Sequence, residues 1–272
     1  MGYLLLLSEV WWWEIPLIFF PRLFQHSMLQ SLFTFRGRRH ILCSMERLDL
    51  RTGVARAAEW IAEVLALYRP EPHLVVGLPG GRSVVPVLEA LRQREDLPWE
   101  RCVFFLVDER CVPSGSPERN YTLLEQVFFG PLMEKGWITE DQVHPYEYHE
   151  EEADWGLEAY ERVLRGYREG FHLVVLGAGE DGHVASLFPR HPSIWDDSPF
   201  YIQVEEAPKP PPRRVSASKT LLESSEACLL LFMGEGKREA YRRFLDPELP
   251  LADCPAKLAF EVDRLAVGTD LG

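Results

Sequence analysis

The sequence predicts an α/β protein: a three-layer α/β/α sandwich with a mostly parallel central sheet. Two observations carry that prediction. Apolar runs at 73–78, 102–107 and 171–176 each end in a polar or glycine-rich turn. A strand that is apolar along its whole length is buried on both faces, and sheets covered by helices on both faces are mostly parallel. Between the runs, apolar residues recur at helical spacing, as in Val54, Ala57, Ala58, Ile61, Val64, Leu65 and Tyr68. Strand and helix therefore alternate, the Rossmann-like pattern in which ligands sit outside the carboxyl ends of the strands.

In chain order, a helix at 54–68 precedes strand 73–78, which ends in Pro79-Gly80-Gly81. A helix at 84–94 follows, where Pro86 fits because it falls in the first turn. Strand 102–107 stops at Asp108-Glu109-Arg110. Segments 120–129 and 153–168 are helical by period, and strand 171–176 runs into Gly177-Ala178-Gly179. Further strands are expected at 200–204, 214–218 and 227–233, with a helix at 237–245. Residues 206–214 form a proline run flanked by basic residues.

The first 44 residues read differently. Their apolar stretches are broken by Glu9, Glu14, Pro16, Pro21 and Arg22. No window supplies the roughly 20 uninterrupted apolar residues of a membrane span. A basic n-region and an Ala-x-Ala-like cleavage site are also missing. Residues 1–44 are expected to be an N-terminal extension, poorly ordered or a product of start-site choice, with a membrane-surface anchor as the alternative. Residues 45–272 are expected to form the catalytic domain.

Composition narrows the function classes. Of 272 residues, 46% are hydrophobic and 26% charged, with a net charge of −13. Such a chain repels a nucleic-acid backbone, so an anionic ligand needs a local cluster of cations. The five cysteines are scattered without a C-x-x-C pair, which argues against a disulfide framework or a zinc site and for a reducing cytoplasm.

Four motifs at strand ends or on loops can carry chemistry. In Leu78-Pro79-Gly80-Gly81-Arg82-Ser83, a strand, two glycines and a helix start form an anion cradle, with Arg82 and Ser83 adding a charged fork and a hydroxyl. The plain structural alternative is a tight turn with Ser83 as N-cap. Asp108-Glu109-Arg110 places three charges at the end of a buried strand. A solvated surface turn is the alternative. Residues 177–183, Gly-Ala-Gly-Glu-Asp-Gly-His, match G-x-G-x-x-G, but Pro189 and Pro192 leave room for about two helical turns at most, too few for a dinucleotide fold. The turn instead delivers Asp181 and His183 into a cleft, where a neutral imidazole accepts a proton and a carboxylate orients it. A metal set of Asp181, His183 and His191 has no established ligand spacing. Ser186, on the same short helix as His183, lacks the G-x-S-x-G elbow of a serine nucleophile. The fourth motif, Pro208-Lys209-Pro210-Pro211-Pro212-Arg213-Arg214, is a stiff loop that can hold Lys209 and Arg214 toward an anion. A surface loop or an SH3-type ligand would have the same composition.

Together these stretches resemble the 6-phosphogluconolactonase family. The matching residues are Gly80-Gly81, Val107 to Pro113 with Asn120-Tyr121, Leu176-Gly177 through Asp181-Gly182-His183 into Ser186-Leu187-Phe188-Pro189, His191-Pro192, and Pro208 to Pro212 with Arg214. The resemblance covers residues 45 to the C-terminus. It implies hydrolysis of 6-phosphoglucono-1,5-lactone to 6-phosphogluconate in the oxidative pentose phosphate pathway, with no cofactor and no metal. His183 would be the general base and Asp181 its support, while Arg110 would face the polar end of the substrate. Gly80, Gly81, Arg82, Ser83, Asp108, Lys209 and Arg214 would bind substrate, chiefly its phosphate. The chain departs from the family pattern at Val184, where Thr is usual, and at Arg190, where Gly is usual. Arg82 also stands between the glycines and Ser83, which leaves open whether Arg82, Ser83, Arg213 or Arg214 touches the phosphate. The partner implied is a small sugar-phosphate lactone. No nucleic-acid or membrane partner is expected, and the chain is expected to be a monomer or weak homo-oligomer. A glucosamine-6-phosphate deaminase is the nearest rival, but it tends to have Asp-Glu-Tyr in place of 108–110 and lacks the Pro-Lys-Pro-Pro-Pro loop. A non-catalytic sugar-phosphate-binding protein on the same fold is the remaining alternative.

Overall fold

The computed structural model describes residues 45–68 and 70–272, so the expectations for 1–44 lie outside the described residues. Its strands are β1 (Glu46–Asp49), β2 (Leu74–Leu78), β3 (Cys102–Leu106), β4 (Asp108–Arg110), β5 (Val143–His144), β6 (Leu173–Gly177), β7 (Tyr201–Val204), β8 (Arg214–Ala217), β9 (Ala227–Phe232) and β10 (Arg264–Thr269). Its α-helices are α1 (Ala55–Leu67), α2 (Val85–Leu91), α3 (Asn120–Leu124), α4 (Gly130–Glu134), α5 (Leu157–Tyr167), α6 (Lys219–Glu223) and α7 (Arg238–Leu245). Seven strands form one sheet in the order β1-β10-β9-β6-β2-β3-β5. Every pairing in it is parallel.

The two faces of this sheet follow from the period of two along each strand. Val75, Val103, Phe105, Val174 and Leu230 pack with Tyr160 of α5, Leu221 of α6 and Phe244 of α7. Leu74, Val76, Phe104, Val175 and Leu229 point the other way, toward Ile61 of α1, Leu88 of α2 and Phe128. Helices therefore cover both faces, giving the expected three layers.

Segments 200–204 and 214–218 are strands as expected, but not part of the parallel sheet. They instead form a second, antiparallel sheet in the order β4-β8-β7. Val107 is the junction between the two sheets. Its N–H donates to Leu78 O at 2.9 Å, continuing the β2–β3 ladder, while its carbonyl accepts from Ala217 N–H. Asp108-Glu109-Arg110 is thus a strand rather than a turn, because the chain leaves one ladder and joins another without a loop.

Other boundaries moved for local reasons. The helix expected from 153 starts at Leu157, since Gly156 has a φ of +89° and Asp154 caps the start through Glu158 N–H at 2.7 Å. Residues 184–188 are not helical: Ala185 sits at a φ of +48°, and Val184 pairs with Leu187 in an isolated bridge. Ser83 does not cap α2, whose N-cap position is Val84 without a side-chain bond. Strand β10 was not anticipated, because Arg-Leu-Ala-Val-Gly-Thr lacks a long apolar run. Its Gly268 lies tight between the side chains of Leu50 and Leu231. Among the described residues, no helix is long and apolar enough to cross a membrane.

Candidate active site

The carboxyl end of β6 delivers the first two functional groups. Asp181 Oδ1 lies 2.5 Å from His183 Nδ1 and accepts the His183 N–H at 3.3 Å. Both side chains are partly exposed, 34% for Asp181 and 16% for His183, so the pair borders solvent. Burial pushes the Asp181 carboxyl up, but the His183 hydrogen bond and the charges of His183 and Lys209 outweigh it. The net effect holds Asp181 well below the usual carboxylate range. Gly179 makes the fold-back of the ring feasible: a Cβ there would lie 2.0 Å from His183 Nδ1. Phe188 packs its ring 4.7 Å from the imidazole, centroid to centroid.

The proline loop reaches the same point. Lys209 Nζ stands 3.5 Å from Asp181 Oδ1 and 3.5 Å from His183 Nδ1. Arg214 is 4% exposed and donates to Pro211 O at 3.0 Å, Lys209 O at 2.9 Å and Pro210 O at 3.2 Å. Its guanidinium also stacks 5.5 Å over Phe188. Arg214 therefore shapes the loop that presents Lys209. Directly opposite it in the β4–β8 ladder is Arg110. Arg110 donates to Glu118 O at 2.6 Å, and its Nε is buried without a hydrogen-bond partner among the described residues. Two facing guanidiniums repel one another, so an anion between them is favoured. Burial, reinforced by the charge of Arg110, lowers the pKa of Arg214 despite the opposing carboxylates of Asp108 and Glu109.

Beneath these cations lies a polar scaffold. Asp108 is 6% exposed; one oxygen accepts from Ser186 Oγ at 2.7 Å and the other from Asn120 Nδ2 at 3.1 Å. Glu109 is 1% exposed and accepts three backbone N–H bonds, from Arg110, Asn120 and Tyr121. Burial raises its pKa, opposed by those donors. Gly80 packs against the Asn120 side chain, and Gly177 against Ser83 Oγ. Hydrogen bonds thus tie the Asp-Glu-Arg strand to Asn120, Tyr121 and Ser186, and the 78–83 turn packs against this cluster through Gly80.

The chain matches the family described as glucosamine-6-phosphate isomerases/6-phosphogluconolactonase over residues 49–266. It belongs to that family. The 6-phosphogluconolactonase of Borreliella burgdorferi is 35% identical to it over 201 residues, 74% of this chain and 85% of that protein. The 6-phosphogluconolactonase of Thermotoga maritima is 34% identical over 185 residues, 68% of this chain and 80% of its own. The crystal structure of 6-phosphogluconolactonase from Thermotoga maritima superposes with a TM-score of 0.70 at 28% identity. That superposition covers 83% of this chain and 99% of the other.

The structure brings Asp181, His183, Lys209, Arg214 and Arg110 together, with Gly80, Gly81 and Ser83 in the turn after β2 and Asp108 in β4 beside them. Arg82 is exposed and makes no hydrogen bond or ion pair among the described residues. Arg213 turns away to Tyr148 and Glu150. Ser186 is spent on Asp108, and His191 on Ser193 and Glu205 O, so neither a serine nucleophile nor the Asp181-His183-His191 metal set is assembled. Lys237 was missed. It is partly buried, and the charges of Glu180, Lys209 and Asp181 all bear on it; burial lowers its pKa. Only its place one residue before α7 sets it near the site, and no motif marked it.

Proposed function

We propose that the chain hydrolyses 6-phosphoglucono-1,5-lactone, with His183 as general base. The observation that carries this reading is the Asp181–His183 pair with Lys209 set against it. With Nδ1 turned to Asp181, Nε2 is the nitrogen left to take a proton from water. The hydroxide equivalent adds to the lactone carbonyl. The ring C–O bond then breaks, and the departing alkoxide oxygen takes the proton back from the imidazolium. The product acid ionises in solution. A lactone is already activated, so no covalent nucleophile is needed. Lys209 and Lys237, with the buried Nε of Arg110, supply the local cations that a chain of net charge −13 needs to hold a phosphate. The same reading places the protein in a reducing cytoplasm, supported by the free thiols of Cys102, Cys111 and Cys254.

The test is a coupled assay on freshly made lactone, scored as acceleration over spontaneous hydrolysis. His183→Ala is expected to lose about 10²–10⁴-fold in kcat. Lys209→Ala is expected to raise KM more than it lowers kcat. Full activity in His183→Ala overturns the mechanism. Turnover of glucosamine 6-phosphate with no lactone hydrolysis would move the chain to the deaminase branch of its family.

A further inference from the structure

Two carbonyls at the tip of the 177–183 turn are gripped by the C-terminal part of the chain. Gly182 O accepts from Ala256 N–H at 2.9 Å. Asp181 O accepts from Arg243 Nη1 at 3.0 Å. Arg243 lies on α7, and its Nη2 donates to Asp253 O. One partly buried guanidinium therefore bridges the turn and the segment 251–256. Arg243 belongs to none of the motifs that mark the site.

The peptide between Asp181 and Gly182 is where this turn is easiest to distort. Gly182 holds a φ of +86°, and a glycine adopts either sign of φ at little cost. Asp181 and His183 lie on opposite sides of that glycine, so rotating the peptide changes the 2.5 Å separation of Oδ1 and Nδ1. That peptide is held at both edges: Gly182 N–H donates to Gly179 O at 3.1 Å, and Arg243 is the side chain that holds the Asp181 carbonyl. A guanidinium suits the task because its planar fork holds two acceptors at once, whereas a lysine ammonium is a single mobile point charge.

We propose that Arg243 is a positioning residue for the Asp181–His183 pair, acting through the Asp181 carbonyl and touching no substrate. Its kinetic consequence rests on His183 being the base; the hydrogen bond it protects does not. The test uses the full chain with Arg243→Gln and Arg243→Lys. Three measurements are made: ¹⁵N-histidine NMR of the His183 side chain, kcat and KM on fresh lactone, and the thermal midpoint. In Arg243→Gln the signature of an Nδ1–H held by a carboxylate is expected to be lost. A displacement on the order of 1 Å costs on the order of 10² in rate, so kcat is expected to fall about tenfold or more while KM changes little. Arg243→Lys recovers part of kcat. In an Asp181→Asn background, Arg243→Gln costs almost nothing further, because both changes act on one interaction. An unchanged His183 signature in Arg243→Gln overturns the proposal, as does an additive loss of kcat in the double variant. Should Arg243→Gln fail to fold, the His183 signature of Arg243→Lys decides in the same way. If His183→Ala keeps full activity while Arg243→Gln loses the NMR signature, the base assignment falls and the positioning role stands.

Discussion

Gly179 lacks a side chain in a place where the imidazole of His183 fills the space one would need. The residue is not at a positive φ, so an alanine there strains no backbone; the three atoms nearest its Cβ would be side-chain atoms of His183 and Asp181, at 2.0, 2.1 and 2.5 Å. Gly179→Ala should therefore displace the ring and leave the fold standing. The expected outcome is a loss of kcat of about 10²-fold, the order of magnitude for a misplacement of about 1 Å, with a thermal midpoint close to that of the unsubstituted chain. A normal kcat in Gly179→Ala would mean the ring does not work from its observed position. The same glycine shows what sequence can and cannot say at this scale. The sequence singled out the 177–183 turn with Asp181 and His183, and Lys209 on a separate loop, and the structure brings those three side chains together. Which group occupies the volume a glycine leaves free was not legible, because that depends on the rotamer of a residue four positions on. Arg214 shows the same limit: its charge was legible, but not that its Nε and Nη2 donate to three carbonyls of its own loop.

The elements bring these residues together through their ends. Strands β2 and β6 pair over only two registered positions, and at their amino ends His172 completes the contact. Val75 N–H donates to His172 Nδ1 at 3.0 Å, and His172 N–H donates to Val75 O at 2.9 Å. That Nδ1 must be unprotonated to accept. Burial first, then the charge of Arg168, lowers the His172 pKa from 6.5 to about 4, opposed by Glu226. A histidine neutral in the fold but protonated when unfolded loses stability as pH falls. The unfolded chain takes up its proton near 6.5 and the folded one only near 4. Stability from His172 is thus complete above 6.5 and drains between 6.5 and 4, by about 3 kcal/mol at one pKa unit per 1.36 kcal/mol. Urea unfolding at several pH values, compared between the natural residue and His172→Gln, checks this. The variant should lose that portion of the acid slope, and parallel slopes in the two proteins would refute it. At this scale, strands β2, β3, β6 and β9 were legible from their apolar runs, and helices α1, α2, α5 and α7 from their period. The antiparallel ladder of β4, β8 and β7 was not, since the chain passes from β3 into β4 through Val107 with no turn residue to announce the change of partner.

At the scale of the whole molecule, the ladder joins the two ends of the described chain. Among the described residues β1 pairs only with β10, from Glu46↔Ala266 to Asp49↔Thr269, and β10 continues onto β9 over six residues. The C-terminal strand is therefore interior to the sheet although it is last in sequence. A strong apolar run was absent because small residues suit its crowded setting. Ala266, Val267 and Gly268 sit among Leu50, Leu229 and Leu231. Two truncations separate what the fold needs from what the site needs. Removing 264–272 takes away the strand that β1 pairs with and bares Leu229 and Leu231 along one side of β9, an exposed apolar edge prone to aggregate. That chain is expected to be insoluble or unfolded by circular dichroism. A chain beginning at Met45 is expected to keep both kcat and KM, because every side chain assigned a role in the reaction, from Gly80 to Arg243, lies within the described domain. A large loss of activity in the shortened chain, with its circular dichroism unchanged, would show that the first 44 residues contribute to the site and would overturn the assignment of 45–272 as the catalytic domain.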